Sequence, residues 1–312
     1  MPDLRVTLGS LTLQNPIIAA AGTFGYGVEF AERLPLNQLG ALVTKTLTRL
    51  PREGNPPPRL VETPSGMLNS VGLQNMGLDA FVRDTLPALR AFTVPVLVSI
   101  LGESEDDLAS MVPQLDREQG VAGIELNLSC PNVKRAVAGG AQGHGLMIAQ
   151  DPVATESIVR AARQHTRKPL IAKLSPDVTD LAPIAQAAER AGATALTIGN
   201  TFTGMSLDPA TRRSRLGALT GGLSGPAIHP LSVYRVWYTG HSVQLPIIGC
   251  GGVVRAEDAV EFFLAGASAV AIGTANFADP RTPLRVLRGL ERYLARHHLD
   301  SIQPLRGALQ PT

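Results

Sequence analysis

Short runs of aliphatic and β-branched residues recur along the chain, each followed by a polar loop rich in Gly, Asn or Ser and then by a stretch with Ala, Leu and Arg at helical spacing. The runs predict strands at Pro16 to Ala20, Ala41 to Lys45, Pro95 to Ile100, Gly123 to Leu128, Pro169 to Leu174, Ala195 to Gly199, Pro246 to Cys250 and Ala269 to Ile272. Helices are predicted at 28 to 34, 79 to 91, 104 to 119, 152 to 166, 180 to 191, 227 to 239, 255 to 265 and 281 to 296, with Ser104, Asp151-Pro152 and Asp180 as starting signals. Continuously apolar strands alternating with helices imply a parallel sheet buried on both faces. Eight such units in 312 residues close into an α/β fold, a single-domain (β/α)8 (TIM) barrel spanning 1–312. An open doubly wound sheet is the alternative. Ahead of the first strand, Gly9-Ser10 between Arg5 to Leu8 and Leu11 to Leu13 signals a hairpin that caps the barrel bottom. The 46 to 78 stretch is too long for a plain loop, and βα insertions of that length shape active sites.

Composition narrows the classes. The chain is 44% hydrophobic, 17% charged and only 4% aromatic, so its core is aliphatic and extended disorder is not expected. A net charge of +2 without a basic stripe interleaved with aromatics argues against nucleic acid as a partner. No apolar run reaches the ~18 residues of a spanning helix, and Met-Pro-Asp-Leu-Arg-Val-Thr lacks the regions of a signal peptide, so no membrane contact and a cytoplasmic location are expected. Two cysteines, Cys130 and Cys250, are too few for a disulfide framework or for the roughly four ligands of an iron-sulfur cluster, and no metal site is expected.

In a parallel barrel the chemistry lies at the carboxyl ends of the strands, and this chain concentrates polar residues there. Against twenty-four arginines it has four lysines, two of which, Lys45 and Lys173, end apolar runs. They read either as tunable ammonium groups or as strand-end lysines reaching water. Asn-Leu-Ser-Cys-Pro-Asn at 127 to 132 brings donors and acceptors into an interior that must satisfy them, which suits a polar planar ligand. Gly-Cys-Gly-Gly at 249 to 252 and Ile-Gly-Thr at 272 to 274 end the last two strands, where such barrels bind phosphate. A dinucleotide fingerprint would need a third glycine where Val254 stands. Cys130, in a polar loop beside Lys134, suits a base or nucleophile, whereas Cys250 reads as buried and inert. One enzyme reading of these residues is a lyase or aldolase-type barrel with a Schiff base on Lys45 or Lys173.

Asn-Leu-Ser-Cys-Pro-Asn-Val-Lys, Gly-Asn-Pro-Pro-Pro-Arg (54 to 59), Gly-Met-Leu-Asn-Ser-Val-Gly-Leu-Gln-Asn (66 to 75), Lys-Leu-Ser-Pro (173 to 176), Thr-Gly-Gly-Leu-Ser-Gly-Pro-Ala-Ile (220 to 228) and Gly-Thr-Ala-Asn-Phe (273 to 277) closely resemble class 1 dihydroorotate dehydrogenase over nearly the whole chain. The wording is most similar to the class 1B, NAD-linked catalytic subunit. The membrane segment and serine base of class 2 are not seen. The resemblance implies an FMN-containing barrel that oxidises dihydroorotate to orotate in pyrimidine biosynthesis, with Cys130 as general base. It further implies flavin contacts from Ala21, Lys45, Thr46, Ser99, Asn127 and Lys173, and from Gly199, Gly225, Gly251, Gly252, Gly273 and Thr274. Substrate contacts are implied for Lys45, Asn69, Asn127, Asn132, Asn200 and Thr201, and for the backbone of Ser70, Val71, Gly72 and Leu73. Ala21 and Ser99 depart from the usual serine and asparagine, and the stretch after Lys134 (135 to 150) looks longer and more Gly-rich than usual. His144 within it reads as a loop histidine or a proton relay. Because the chain has neither cluster cysteines nor a dinucleotide fingerprint, electrons must leave through something else. In class 1B this is a partner subunit with FAD and a [2Fe-2S] cluster that reduces NAD+, in a heterotetramer. In class 1A a homodimer passes electrons to fumarate.

Overall fold

The computed structural model describes residues 2–102, 104–129, 135–136 and 145–310. Eight parallel strands close on themselves: β1 (Ile17–Ala19), β2 (Ala41–Val43), β3 (Val96–Ile100), β4 (Gly123–Asn127), β5 (Leu170–Leu174), β6 (Ala195–Ile198), β7 (Ile247–Cys250) and β8 (Ala269–Ile272). Each pairs with its sequence neighbours, and β8 closes on β1 through Val270↔Ile17, Ala271↔Ile18 and Ile272↔Ala19. Closure excludes the open doubly wound sheet. Nearly every residue of these strands is buried, because helices cover the outside and side chains fill the interior. The outer ring includes α1 (Glu105–Arg117), α2 (Pro152–Gln164), α3 (Ala182–Arg190), α4 (His229–Gly240), α5 (Ala256–Leu264) and α6 (Thr282–Arg296). The fully buried aromatics Phe24, Phe81, Phe262 and Phe263 supplement a core otherwise built of Leu, Ile, Val and Ala.

Starting signals hold where a side chain caps a helix. Ser104 Oγ accepts the Asp107 N–H at 3.1 Å, and Asp151 Oδ1 accepts the Val153 N–H at 2.9 Å ahead of Pro152. Asp180 Oδ1 likewise accepts the Ala182 N–H at 2.9 Å, one residue before the cap position Leu181.

Three expectations need correction. The helix expected at 28 to 34 is only a 3-10 turn, Val28–Phe30, followed by a second, Leu36–Gln38. The Glu29 carboxylate accepts the Tyr26 N–H, and Pro35 breaks the run, so no helical ladder can propagate. The helix expected at 79 to 91 runs from Leu78 to Leu89 but widens into a π turn over Phe81–Thr85, two residues ahead of Pro87, which has no N–H for the Arg83 carbonyl. Lys45 lies two residues beyond the end of β2. There the chain still follows the wall, since the Thr44 N–H donates to the Leu97 carbonyl and Leu47 bridges Ile100.

The predicted hairpin pairs Val6–Leu8 with Leu11–Leu13, and its turn lies at the amino end of β6, where a Cβ on Gly9 would come within 2.8 Å of Thr194 Cβ. It therefore closes the bottom. A four-stranded antiparallel sheet, not predicted, crosses the other end in the order Phe202–Gly204, Gly221–Ser224, Gly66–Asn69, Leu60–Thr63. Its outer strand Leu60–Thr63 alternates between exposed and half-buried positions, too little hydrophobic contrast for a periodicity reading. Within the 135 to 150 stretch, Arg135–Ala136 pairs antiparallel with Gly145–Leu146, while 137–144, including His144, lies outside the described residues. No helix among the described residues is long and apolar enough to cross a membrane.

Candidate active site

Between the strand ends and the four-stranded sheet lies a cleft of about 1050 Å³, counted out to its open mouth. Concave sites of that size take cofactor-sized ligands. The only charged side chains among its described lining residues are Lys45 and Lys173, so the cavity favours anions. Lys173 lies on β5, is 6% exposed, and has no hydrogen-bond partner among the described residues. Lys45 approaches from the loop after β2, its backbone N–H held by the Gly25 carbonyl at 2.8 Å.

A chain of hydrogen bonds ties the floor together across strands distant in sequence. Ser99 Oγ on β3 lies 3.0 Å from Thr46 Oγ1, and the same threonine oxygen accepts Asn127 Nδ2 of β4 at 3.1 Å. Asn200, after β6, donates from Nδ2 to Ser129 Oγ at 2.6 Å and to the Ser129 carbonyl at 3.2 Å, while its Oδ1 accepts the Thr201 N–H at 2.8 Å. Such pairing fixes the amide orientations, since each asparagine has one acceptor end and one donor end. Asn69, at the end of its roof strand, donates to the Gly222 carbonyl of the neighbouring roof strand at 3.2 Å.

The loop at 70 to 73 owes its shape to residues outside the cleft. Arg59 donates to the Asn55 carbonyl (2.6 Å), the Glu53 carbonyl (2.9 Å) and Gln74 Oε1 (2.6 Å), and Asn55 Nδ2 donates to Ser70 Oγ at 2.7 Å. Asn75 grips both sides of the turn, donating to Thr48 Oγ1 and the Leu73 carbonyl and accepting from Gly77.

At the opposite end, Gly251, Gly252, Gly273 and Thr274 form a lip of backbone. Among the described residues the N–H groups of Gly252, Gly273 and Thr274 have no acceptor within the chain, the condition for holding a phosphate. His229, the first residue of α4, accepts no compromise at this lip: its Nδ1 donates to the Gly251 carbonyl at 2.9 Å, and a Cβ on Gly252 (φ +71°) would come within 2.7 Å of His229 Cβ. His229, Asp258 and Glu261 also bring potential metal-ligand atoms within 4.8 Å of one another. Asp258 is engaged as the α5 cap, its Oδ2 accepting the Val254 and Arg255 N–H groups at 2.8 and 3.0 Å.

Of the residues singled out from the sequence, Ala21, Lys45, Thr46, Asn69, Val71, Gly72, Leu73, Asn127, Lys173, Asn200, Thr201, Gly251, Gly252, Gly273 and Thr274 line this one cleft. Ser99 and Ser70 stand behind the wall as partners of Thr46 and Asn55; Gly199 backs onto the Cys250 carbonyl and Gly225 onto Gly66. Cys130 and Asn132 lie outside the described residues, and Ser129 is the nearest described neighbour. Cys250 lines the cleft with its thiol pushed above the ordinary range by burial, with Lys173 pulling it down and Glu125 adding to the rise, so it suits no base. Sequence reasoning missed Ser129, Ser224 and Phe277 of the lining and its support, although each falls inside a quoted motif, and it missed Glu125, whose signal is a lone acid two residues before Asn127 in an apolar strand.

The family model described as "Dihydroorotate dehydrogenase" matches residues 3–294. The chain is 47% identical over 309 residues to "Dihydroorotate dehydrogenase B (NAD(+)), catalytic subunit" of Geobacter sp. (strain M21), covering 99% of both chains. The protein of the same name from Desulforudis audaxviator (strain MP104C) is 50% identical over 307 residues, covering 98% of this chain and 97% of the other. That from Geobacter sulfurreducens is 46% identical over 309 residues, with 99% of each covered.

Proposed function

Because the chain belongs to the dihydroorotate dehydrogenase family, we propose that it is the catalytic subunit of an NAD+-linked dihydroorotate dehydrogenase, oxidising (S)-dihydroorotate to orotate for pyrimidine biosynthesis. The observation that carries the reading is the convergence in one cleft of two lysines as the only described charges, three asparagines, and a lip of N–H groups without acceptors.

These residues fit FMN. The Gly252, Gly273 and Thr274 N–H groups suit its phosphate, while Thr46, Asn127 and Lys173 offer donors along the polar side of a planar ring. FMN bound there supplies the two-electron acceptor for the hydride that leaves C6 of the substrate. Lys45 offsets the substrate carboxylate, and Asn69, Asn127, Asn132 and Asn200 with Thr201 pair with its ring amides and carboxylate. Cys130 as thiolate takes the C5 proton; the C5–H electron pair becomes the new C5=C6 bond. Asn200, by holding Ser129 through both its hydroxyl and its carbonyl, fixes the backbone directly before Cys130. Enclosure by the roof sheet strengthens every charge interaction inside.

Electrons then pass to NAD+ through a partner subunit carrying FAD and a [2Fe-2S] cluster, on a homodimeric core and in the cytoplasm. The class 1B relatives, each named for NAD(+) and as a catalytic subunit, support this route over the fumarate-using class 1A homodimer. The same family membership removes the reason for a Schiff-base lyase at Lys45 or Lys173. The test is an anaerobic visible spectrum of the purified chain before and after adding dihydroorotate. An oxidised flavin band that bleaches is the expected result, whereas a colourless active protein would sink the proposal. Adding NAD+ with the partner subunit, or fumarate without it, then sorts the electron acceptor.

A further inference from the structure

Within the eight barrel strands two residues are charged: Lys173 on β5 and Glu125 on β4. Glu125 is 2% exposed. Its Oε2 accepts a 3.2 Å bond from Thr197 Oγ1 on β6, and its Oε1 is closed off from solvent without a partner among the described residues. In the ladder, Lys173 stands beside Asn127 of β4 on one side and Thr197 of β6 on the other, while Glu125 pairs with Ile171, two residues lower on β5. A carboxylate that reaches from β4 to β6 therefore passes beneath the stem of Lys173. Its field also reaches the cleft: the Cys250 thiol, on the cleft wall, feels Lys173 and Glu125 with opposite signs.

An acid this poorly paired does not serve stability, because an apolar residue of similar volume generally packs in such a place without loss. As a carboxylate, it supplies a negative charge in a low-dielectric interior, where charge interactions are strong. Lys173 supplies the opposite charge one layer higher. A cofactor above Lys173 that gains negative charge on reduction is stabilised by the ammonium and opposed by the carboxylate.

We propose that Glu125 is a positioning residue that, from beneath Lys173, lowers the reduction potential of the flavin held in this cleft and so limits how strongly the cofactor retains electrons. The inference rests on the flavin reading above. It assigns Glu125 no contact with substrate; the acid acts through the barrel floor.

The test is the two-electron midpoint potential of the bound flavin at pH 7, by equilibration with a reference dye, for the parent chain and for Glu125→Gln and Glu125→Asp. Glutamine keeps the size and the acceptor for Thr197 but removes the charge. At a fixed potential its reduced-to-oxidised ratio is expected to rise at least tenfold, equivalent to about 30 mV for a two-electron couple. Aspartate keeps the charge and should stay within about threefold of the parent, a rescue that a packing role would not produce. Should Glu125→Gln fail to fold, Glu125→Met removes the same charge with an apolar chain and carries the same expected sign. A flavin-loaded, charge-removed variant whose potential is unmoved or lower overturns the proposal and leaves the flavin reading intact. A parent chain that binds no flavin overturns both.

Discussion

The two cysteines show how far one residue's neighbourhood decides its chemistry. Burial holds the Cys250 thiol above its usual range, so it stays protonated and unreactive through neutral pH. Cys130 follows Ser129, which Asn200 grips twice. Alkylation with iodoacetamide at pH 8, followed by peptide mapping, should therefore mark Cys130 well before Cys250. Cys130→Ala should keep its flavin spectrum while turnover falls by about two to four orders of magnitude, the usual worth of a positioned general base; full turnover would remove the assigned base. At this scale the sequence was readable wherever a motif kept its members adjacent, as in Asn-Leu-Ser-Cys-Pro-Asn. The Ser129 to Asn200 and Thr46 to Ser99 bonds were not readable, because the partners are 71 and 53 positions apart and meet only when the barrel closes.

Among the elements, helices with a capping side chain were legible to within a residue or two, and the misread ones failed for local reasons: Glu29 and Pro35 in one, Pro87 in the other. One clamp between elements has a pH signature. Asp116, on α1, accepts hydrogen bonds from the Thr166 hydroxyl and, at 3.1 Å, from the Arg167 N–H, tying α1 to the segment that enters β5. The Thr166 hydroxyl, and secondarily the Arg167 and Lys168 N–H groups, hold its carboxyl below the usual value of 3.8. A carboxyl whose folded pKa lies below its unfolded one contributes stability that is complete above the unfolded value and is lost as pH falls through the folded one. Asp116→Asn should thus cost about 1–2 kcal/mol in urea unfolding at pH 7, the ~1.5–3 kcal/mol of a hydrogen bond to a charged group reduced by solvent screening, with the gap to the parent closing below about pH 4. A gap of constant size down to pH 3 would mean that the charge is irrelevant.

For the whole molecule, the barrel was legible because continuous apolar strands alternate with helices, whereas the roof was not, because its strands are short, weakly patterned and supplied by two separate insertions. A cofactor bound between floor and roof should stabilise both. At a hundredfold excess over its dissociation constant a ligand adds about 2.7 kcal/mol. Stripping the flavin is expected to lower the melting temperature by several degrees, and FMN should restore it better than riboflavin, which lacks the phosphate suited to the Gly252 to Thr274 lip. Equal rescue by the two would show that the lip binds no phosphate.

The roof has a consequence for how the chain comes off the ribosome. Its hairpin at Leu60–Asn69 has no neighbour on its inner side until Gly221–Ser224 arrives. At the usual pace of about 5–20 residues per second, those strands emerge roughly 8–30 seconds apart. During that interval the strand Gly66–Asn69 has one side open to other chains, and two features limit the risk. The strand is only four residues long, and it begins with a glycine. The roof therefore closes before the Gly251 to Thr274 lip is made, and a ribosome pause between the two insertions would lengthen the time that this edge stays open.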